Sequence, residues 1–248
     1  MKINKLVLII TSVLIFSSCS REKSSSTGWE YNNSKNGGFE TNQRFVEQIT
    51  GPGLLFIEGG SFNMGRVEQD IMYDWNNVPS KQSVSSFYLD EVEVRNVDYL
   101  EYLFWIRRVY SGFPEVYIKS LPDTLVWRDK LGYNEPYVKQ YLRHPAYQNY
   151  PVVGVSWQQA TDYCAWRTDR VNERILINEG ILKENMEQMD DDVFSTQAYL
   201  AGQYEGTVRR NPKNLTNENY GTGEKYRTVR MEDGLLLPEY RLPTEAEW

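Results

Sequence analysis

The chain has 248 residues, 40% of them hydrophobic and 25% charged, and a formal net charge of −7. This is the composition of a folded globular protein, long enough for one large core or two small ones, and the acidic balance with no basic stripe excludes nucleic acid as a partner of the fold. The 18 Tyr and 7 Trp suit a loop-rich fold that buries area with large rings; a recognition surface is the other use of such rings.

Residues 1–19 read as a targeting device and not as part of the fold. Lys2 and Lys5 give a positive start, and Leu6 to Phe16 is an apolar run too short to span a bilayer comfortably. Ser17-Ser18 then lead straight into Cys19. The ending resembles a bacterial lipoprotein signal, which implies cleavage before Cys19, lipidation of its sulfur and a membrane contact made through that lipid; an ordinary secretory signal is the alternative. With Cys19 spent on lipid, Cys164 is the remaining cysteine, so no disulfide within the chain is expected. Residues 20–50, rich in Ser, Gly, Asn and Lys up to about Gly38, read as a flexible tether.

The folded part is expected over residues 51–248. Leu54–Glu58 and Ser61–Gly65 flank Gly59-Gly60 and predict a hairpin of two short strands. Ser83–Asp90 reads as a third strand, with Val84 and Tyr88 on one face and Phe87 and Leu89 on the other, both faces covered. From Asn96 the period changes: Val97, Leu100, Leu103 and Phe104 form one face of a helix capped by Asn96 and stopped before Ser111-Gly112-Phe113-Pro114. Negative charge at Asp90, Glu91 and Glu93 is favourable ahead of that helix; an acidic edge that contacts a partner is the functional alternative.

Residues 113–150 show no sustained period. They are expected to wrap the domain as irregular structure, since a linker would not carry Trp127, Tyr133, Tyr137, Tyr141 and Tyr147. His144, the one histidine, has no partners for a zinc site or a Ser–His arrangement and reads as surface or structural. Pro151–Val155 predicts a short buried strand. Ser156 and Gln159 have capping-box spacing and start a helix that places Trp157, Ala160 and Cys164 on one apolar stripe and runs to Asn172 or beyond. Residues 176–239 are polar and broken; Asp190-Asp191-Asp192 lack the spacing of a calcium loop and read as solvated. At the end, Thr244 and Glu247 repeat the capping-box spacing behind Pro243. One turn does not repay helix nucleation, so the chain is expected to be a fragment of a longer protein.

Four stretches in order carry a resemblance: Ile57-Glu58-Gly59-Gly60-Ser61-Phe62-Asn63-Met64-Gly65; Phe87-Tyr88-Leu89-Asp90-Glu91-Val92-Glu93-Val94-Arg95-Asn96; Tyr150-Pro151-Val152-Val153-Gly154-Val155-Ser156-Trp157 with Ala160, Tyr163, Cys164 and Trp166; and Arg241-Leu242-Pro243-Thr244-Glu245-Ala246-Glu247-Trp248. Together they resemble the formylglycine-generating enzyme, or sulfatase-modifying factor, domain family, over its N-terminal part. The resemblance implies an α+β, C-type-lectin-like fold, loop-rich, truncated at the C-terminus, in which calcium can take part. Within the family, the lipoprotein signal, Thr27-Gly28-Trp29-Glu30-Tyr31-Asn32, Arg66-Val67-Glu68-Gln69-Asp70, Tyr73-Asp74-Trp75-Asn76-Asn77 and an insertion at about 167–239 resemble the gliding-motility lipoproteins of Bacteroidota.

Three functions follow from that resemblance. The first is a non-catalytic outer-membrane scaffold, lipid-anchored and facing the periplasm, for gliding motility and type IX secretion; its partners are other such lipoproteins and ring components. The second is a lectin-like domain that binds glycan or peptidoglycan. The third is a formylglycine-generating oxidoreductase. The family's enzymes are implied to use paired cysteines and copper, and copper(I) wants soft thiolates. Cys164, placed on a helix beside Ala160 and Trp166, reads as a small core residue. No catalytic residue and no cofactor site is therefore expected in these residues, and for an enzyme the pair would lie beyond Trp248.

Overall fold

The computed structural model describes residues 23–31, 33, 35, 39, 47–65, 72, 77–204 and 228–248. The Cys19 signal, Arg66–Asp70 and Tyr73–Asn76 lie outside the described residues. The described residues form two units, one of residues up to 47 with 228–233 and one of residues 48–204 with 234–248. The first contains a small turn: Lys23 bridges Glu30, Gly28 with φ 72° closes back on Ser24, and the Ser24 hydroxyl accepts from the Ser26 and Thr27 amides.

The larger unit is a mixed helix and small-sheet fold. Its strands are β1 (Leu54–Ile57), β2 (Gly60–Met64), β3 (Ser80–Val84) and β4 (Phe87–Asp90). The expected hairpin of β1 with β2 does not form: β1 pairs with β4 and β2 with β3, both antiparallel. The two pairs keep one register, since counting on from Ile57↔Phe87 brings Gly60 opposite Val84. The ribbon is thus one long hairpin interrupted at Glu58-Gly59 opposite Ser85-Ser86. Gly59 serves a close approach there and not a turn, because a Cβ would press on the backbone of residues 84–86, and its amide donates to the Ser86 hydroxyl at 3.0 Å. The same interruption splits the expected third strand into β3 and β4. Its two faces are not both covered: Tyr88 is half exposed and packs edge-on against Phe56 at 5.5 Å.

Helix α1 (Asn96–Val109) begins one residue earlier than expected. Arg95 is its cap, and the Asp98 carboxylate accepts from the Arg95 amide at 3.2 Å. Asn96 is fully buried instead, donating to the Tyr141 and Tyr147 carbonyls. The buried face is also rotated from the expected one. Tyr99, Tyr102, Leu103, Ile106 and Val109 face inward, while Phe104 is 70% exposed and Val97 also faces water. Tyr99 and Tyr102 drive that choice, because a buried tyrosine ring contributes as much area as any apolar side chain. The Tyr99 hydroxyl is satisfied by the Ser120 carbonyl at 2.8 Å.

Residues 113–150 hold short helices, α2 (Pro114–Ser120) and α3 (Glu135–Gln140), with 3-10 turns at Thr124–Trp127 and Pro145–Tyr147. Trp127, Tyr137, Tyr141 and Tyr147 form a continuous ring cluster with centroids 4.6–6.0 Å apart, whereas Tyr133 stays exposed. His144 is structural, its Nδ1 accepting from the Ala146 amide. The expected strand at 151–155 reduces to an isolated bridge between Arg95 and Pro151. Gly154 is the reason: its φ is 80°, and its carbonyl accepts from the Asp123 amide at 2.8 Å, outside any ladder.

Helix α4 (Trp157–Asn178) starts with the expected reciprocal capping box of Ser156 and Gln159. Gln159 also donates to the Lys119 and Leu121 carbonyls, tying the helix start to the end of α2. Tyr163 joins Tyr99, Tyr102, Leu103 and Ile106 in the core, with Trp105 and Trp166 packed against them. Trp157, expected on the buried stripe, is 72% exposed. Arg170 lies over the Trp105 ring and binds Glu173, Gln188 and the Phe194 carbonyl. Gln188 also pairs with Glu173, so the chain after α4 is held to its side. A last helix, α5 (Thr196–Leu200), follows. No helix among the described residues is long and apolar enough to cross a membrane.

Candidate functional site

One face of α4 organises the site. Thr168 and Asn172 are spaced by four residues and lie on the same side of the helix; both are buried. Neither packs as an apolar group. The Asn172 amide accepts from the Leu237 N–H at 2.8 Å and donates to the Leu237 carbonyl at 3.1 Å, as a neighbouring strand would. The Thr168 hydroxyl donates to the Cys164 carbonyl and accepts from the Tyr240 amide, each at 2.9 Å. Asp169 takes the Thr196 amide at 2.7 Å. The helix thus replaces the missing ladder for residues 237–240 with side-chain hydrogen bonds, which a buried backbone requires.

Arg167 stands beside this row. Its guanidinium grips both oxygens of Asp90, at 2.5 and 2.7 Å, and donates to the Pro52 carbonyl at 2.9 Å. Its Cζ lies 4.4 Å from the Tyr240 ring centre. Burial works against the charge on Arg167, but the hydrogen bonds and charge of Asp90 outweigh it and raise the pKa. Asp90 is therefore not placed for the dipole of α1, as expected ahead of a helix, but closes the end of β4 onto α4. Gly51 completes the contact: a Cβ there would overlap the Tyr240 hydroxyl.

These groups border a cleft of 670 Å³ between residues 48–54, β4 with residues 91–94, α4 and residues 237–248. Pro243, Glu247 and Trp248 line it from the turn at Thr244. The Glu247 carboxylate accepts from the Thr244 amide at 2.8 Å, and the Thr244 hydroxyl accepts from the Glu247 amide at 3.3 Å, so the expected capping box is present. Arg241 adds a bidentate pair to Glu247 at 2.6 and 2.7 Å, a partner that the capping-box spacing does not reveal. Arg241 and Thr244 together hold the Glu247 carboxyl down at about 2.

Cys164 lines the cleft from α4 and is half-buried, not a fully buried core residue. Burial pushes its thiol pKa up, an effect that nearby Arg167 only partly offsets. Cys164 is the one free cysteine among the described residues, so these residues do not supply the pair of soft thiolates that suits copper(I). No three His, Cys, Asp or Glu side chains converge as ligands among the described residues, and Asp190–Asp192 form a 3-10 turn in which Asp190 faces Gly112.

The mixed fold of small sheet and helices, in which a long helix holds a returning segment against a strand end, is consistent with the α+β domain that the four sequence stretches suggested. The chain belongs to the family described as sulfatase-modifying factor enzyme 1-like domain, whose model matches residues 39–248. It is similar to the formylglycine-generating enzyme of Mus musculus, 26% identical over 165 residues, which covers 52% of this chain. The match covers 42% of the mouse protein, so the chain spans less than half of that relative's length.

Proposed function

We propose that the protein is a non-catalytic scaffold of the outer membrane, lipid-anchored at Cys19, facing the periplasm and serving gliding motility and type IX secretion. The reading is closest to lipoprotein J of the Bacteroidota gliding set, with its sister lipoprotein K as the near alternative. One observation carries the non-catalytic part: the sole cysteine of residues 39–248 is Cys164, and it is half-buried on α4 with no second thiol beside it among the described residues. Copper-dependent oxidation of a substrate cysteine needs a pair of thiolates. The Ser17-Ser18-Cys19 ending supports the anchor. The partners on this reading are other gliding and secretion lipoproteins and the components of the secretion ring.

Deleting the gene in its host is expected to abolish both surface spreading and type IX export, and a Cys19→Ala copy is expected to restore neither although the protein is made. Normal spreading and export in the deletion strain would overturn the scaffold reading. Conversion of a cysteine peptide to formylglycine by the full-length protein with copper would overturn its non-catalytic part.

A further inference from the structure

A second cavity, of 490 Å³, adjoins the cleft and shares Cys164 and residues 239–243 with it. Its volume is within the roughly 300–1,000 Å³ typical of small-molecule sites. One wall is the α4 face that carries Trp157 and Thr161; the other is the start of α5 with residues 239–243. Trp157 leaves its indole 72% exposed at the mouth. An exposed indole offers a flat apolar face on which another ring can stack.

The polar lining is rich in acceptors that are not used up among the described residues. Asp169 spends one oxygen on the Thr196 amide, and Glu239 spends one on the Gln197 side chain at 2.9 Å. The second oxygen of each carboxylate makes no hydrogen bond among the described residues, and Ser195 makes no side-chain cap bond to α5. The one cation of the lining is Arg241, and its guanidinium is engaged by both oxygens of Glu247 and by the Leu242 carbonyl. No free positive charge is left to attract an anion.

We infer that this cavity binds a neutral carbohydrate. A pyranose ring presents an apolar C–H face that fits an indole, and a rim of hydroxyl donors that fits spare carboxylate oxygens and a serine hydroxyl. A quaternary amine would instead ask for several open rings around the cation, and of the two aromatic residues of the lining, Trp157 and Tyr240, Tyr240 already carries the Arg167 guanidinium against its ring. The inference is independent of the scaffold reading.

The test is calorimetry on the full-length protein with three probes: a trimer of N-acetylglucosamine, cellotriose and choline. Saturable binding of at least one glycan is expected, with Trp157→Ala and Ser195→Ala each weakening it by about tenfold or more and Trp157→Phe keeping it within about threefold. Urea unfolding checks that each variant is folded; should Trp157→Ala fail, Ser195→Ala and Gln197→Ala carry the test. Three results would overturn the inference: no glycan binding at about 10 mM, binding that folded variants leave unchanged, or binding of choline alone. None of these would touch the scaffold reading, which the deletion strain decides separately.

Discussion

Replacing Arg167 by Ala removes two hydrogen bonds to Asp90, one to the Pro52 carbonyl and the cation over the Tyr240 ring. The side chains of Arg167 and Asp90 are 17% and 30% exposed. Removing one partner of a fully buried pair costs about 3–5 kcal/mol, and an exposed pair is worth about 0.2–1 kcal/mol. This pair lies nearer the first limit, so a loss of about 2–3 kcal/mol is expected for Arg167→Ala. A double-mutant cycle with Asp90→Ala, read by urea unfolding at pH 7, should return a coupling of about 2 kcal/mol. Arg167→Lys should recover less than half of it, because an ammonium cannot reach both oxygens and the ring at once. Partly buried charges are screened little by salt, so most of the coupling should survive in about 1 M sodium chloride. A coupling below about 0.5 kcal/mol, or one abolished by salt, would show that the clamp contributes no more than a surface pair and would refute the reasoning.

Asn172→Ala leaves the N–H and C=O of Leu237 buried and unpaired, so urea unfolding should show a loss of about 2–4 kcal/mol. Gly51→Ala should displace the Tyr240 ring from Arg167; thermal unfolding should show a lower midpoint, and the loss should shrink when Tyr240 is replaced by Leu. Glu247 has a folded pKa lowered to about 2 from an ordinary 4.5. Its contribution is therefore complete above about pH 4.5 and is lost as pH falls through about 2, and carboxyl NMR of Arg241→Gln should show the midpoint moving back up. The Cys164 thiol, raised by burial, should react with iodoacetamide at pH 7 more slowly than a free cysteine; equal rates would contradict its placement.

How much of this was legible depended on the distance between partners. The Ser156–Gln159 and Thr244–Glu247 boxes are closed within four residues, and sequence spacing found both. Asn96 has the residue type of a cap, and nothing local reveals that its amide is claimed by carbonyls 45 and 51 residues away. The strand pairing failed for a related reason. Leu54–Ile57 is apolar enough to pair with either neighbour, and Gly59-Gly60 looks like a turn until the Ser85-Ser86 backbone is seen lying against it. The buried face of α1 departs from the hydropathy pattern because hydropathy ranks Val97 and Phe104 above Tyr99 and Tyr102, although a tyrosine whose hydroxyl finds a carbonyl buries as well as phenylalanine does. Arg167 and Asp90, separated by 77 residues, carry no signal in one sequence beyond their opposite charge.

The cleft is specified by α4 more than by the chain that leaves and returns to it. Thr168 and Asn172 fix Leu237 and Tyr240 by their backbone atoms, and a backbone contact holds whatever side chains the returning segment carries. Arg170 and Asp169 do the same for the outgoing side, through the Phe194 carbonyl and the Thr196 amide. A polar row on a buried helix face is expensive unless every group in it is paired, and here it is spent on register: Tyr240 is delivered onto Arg167, and Arg167 onto Asp90, from one helix.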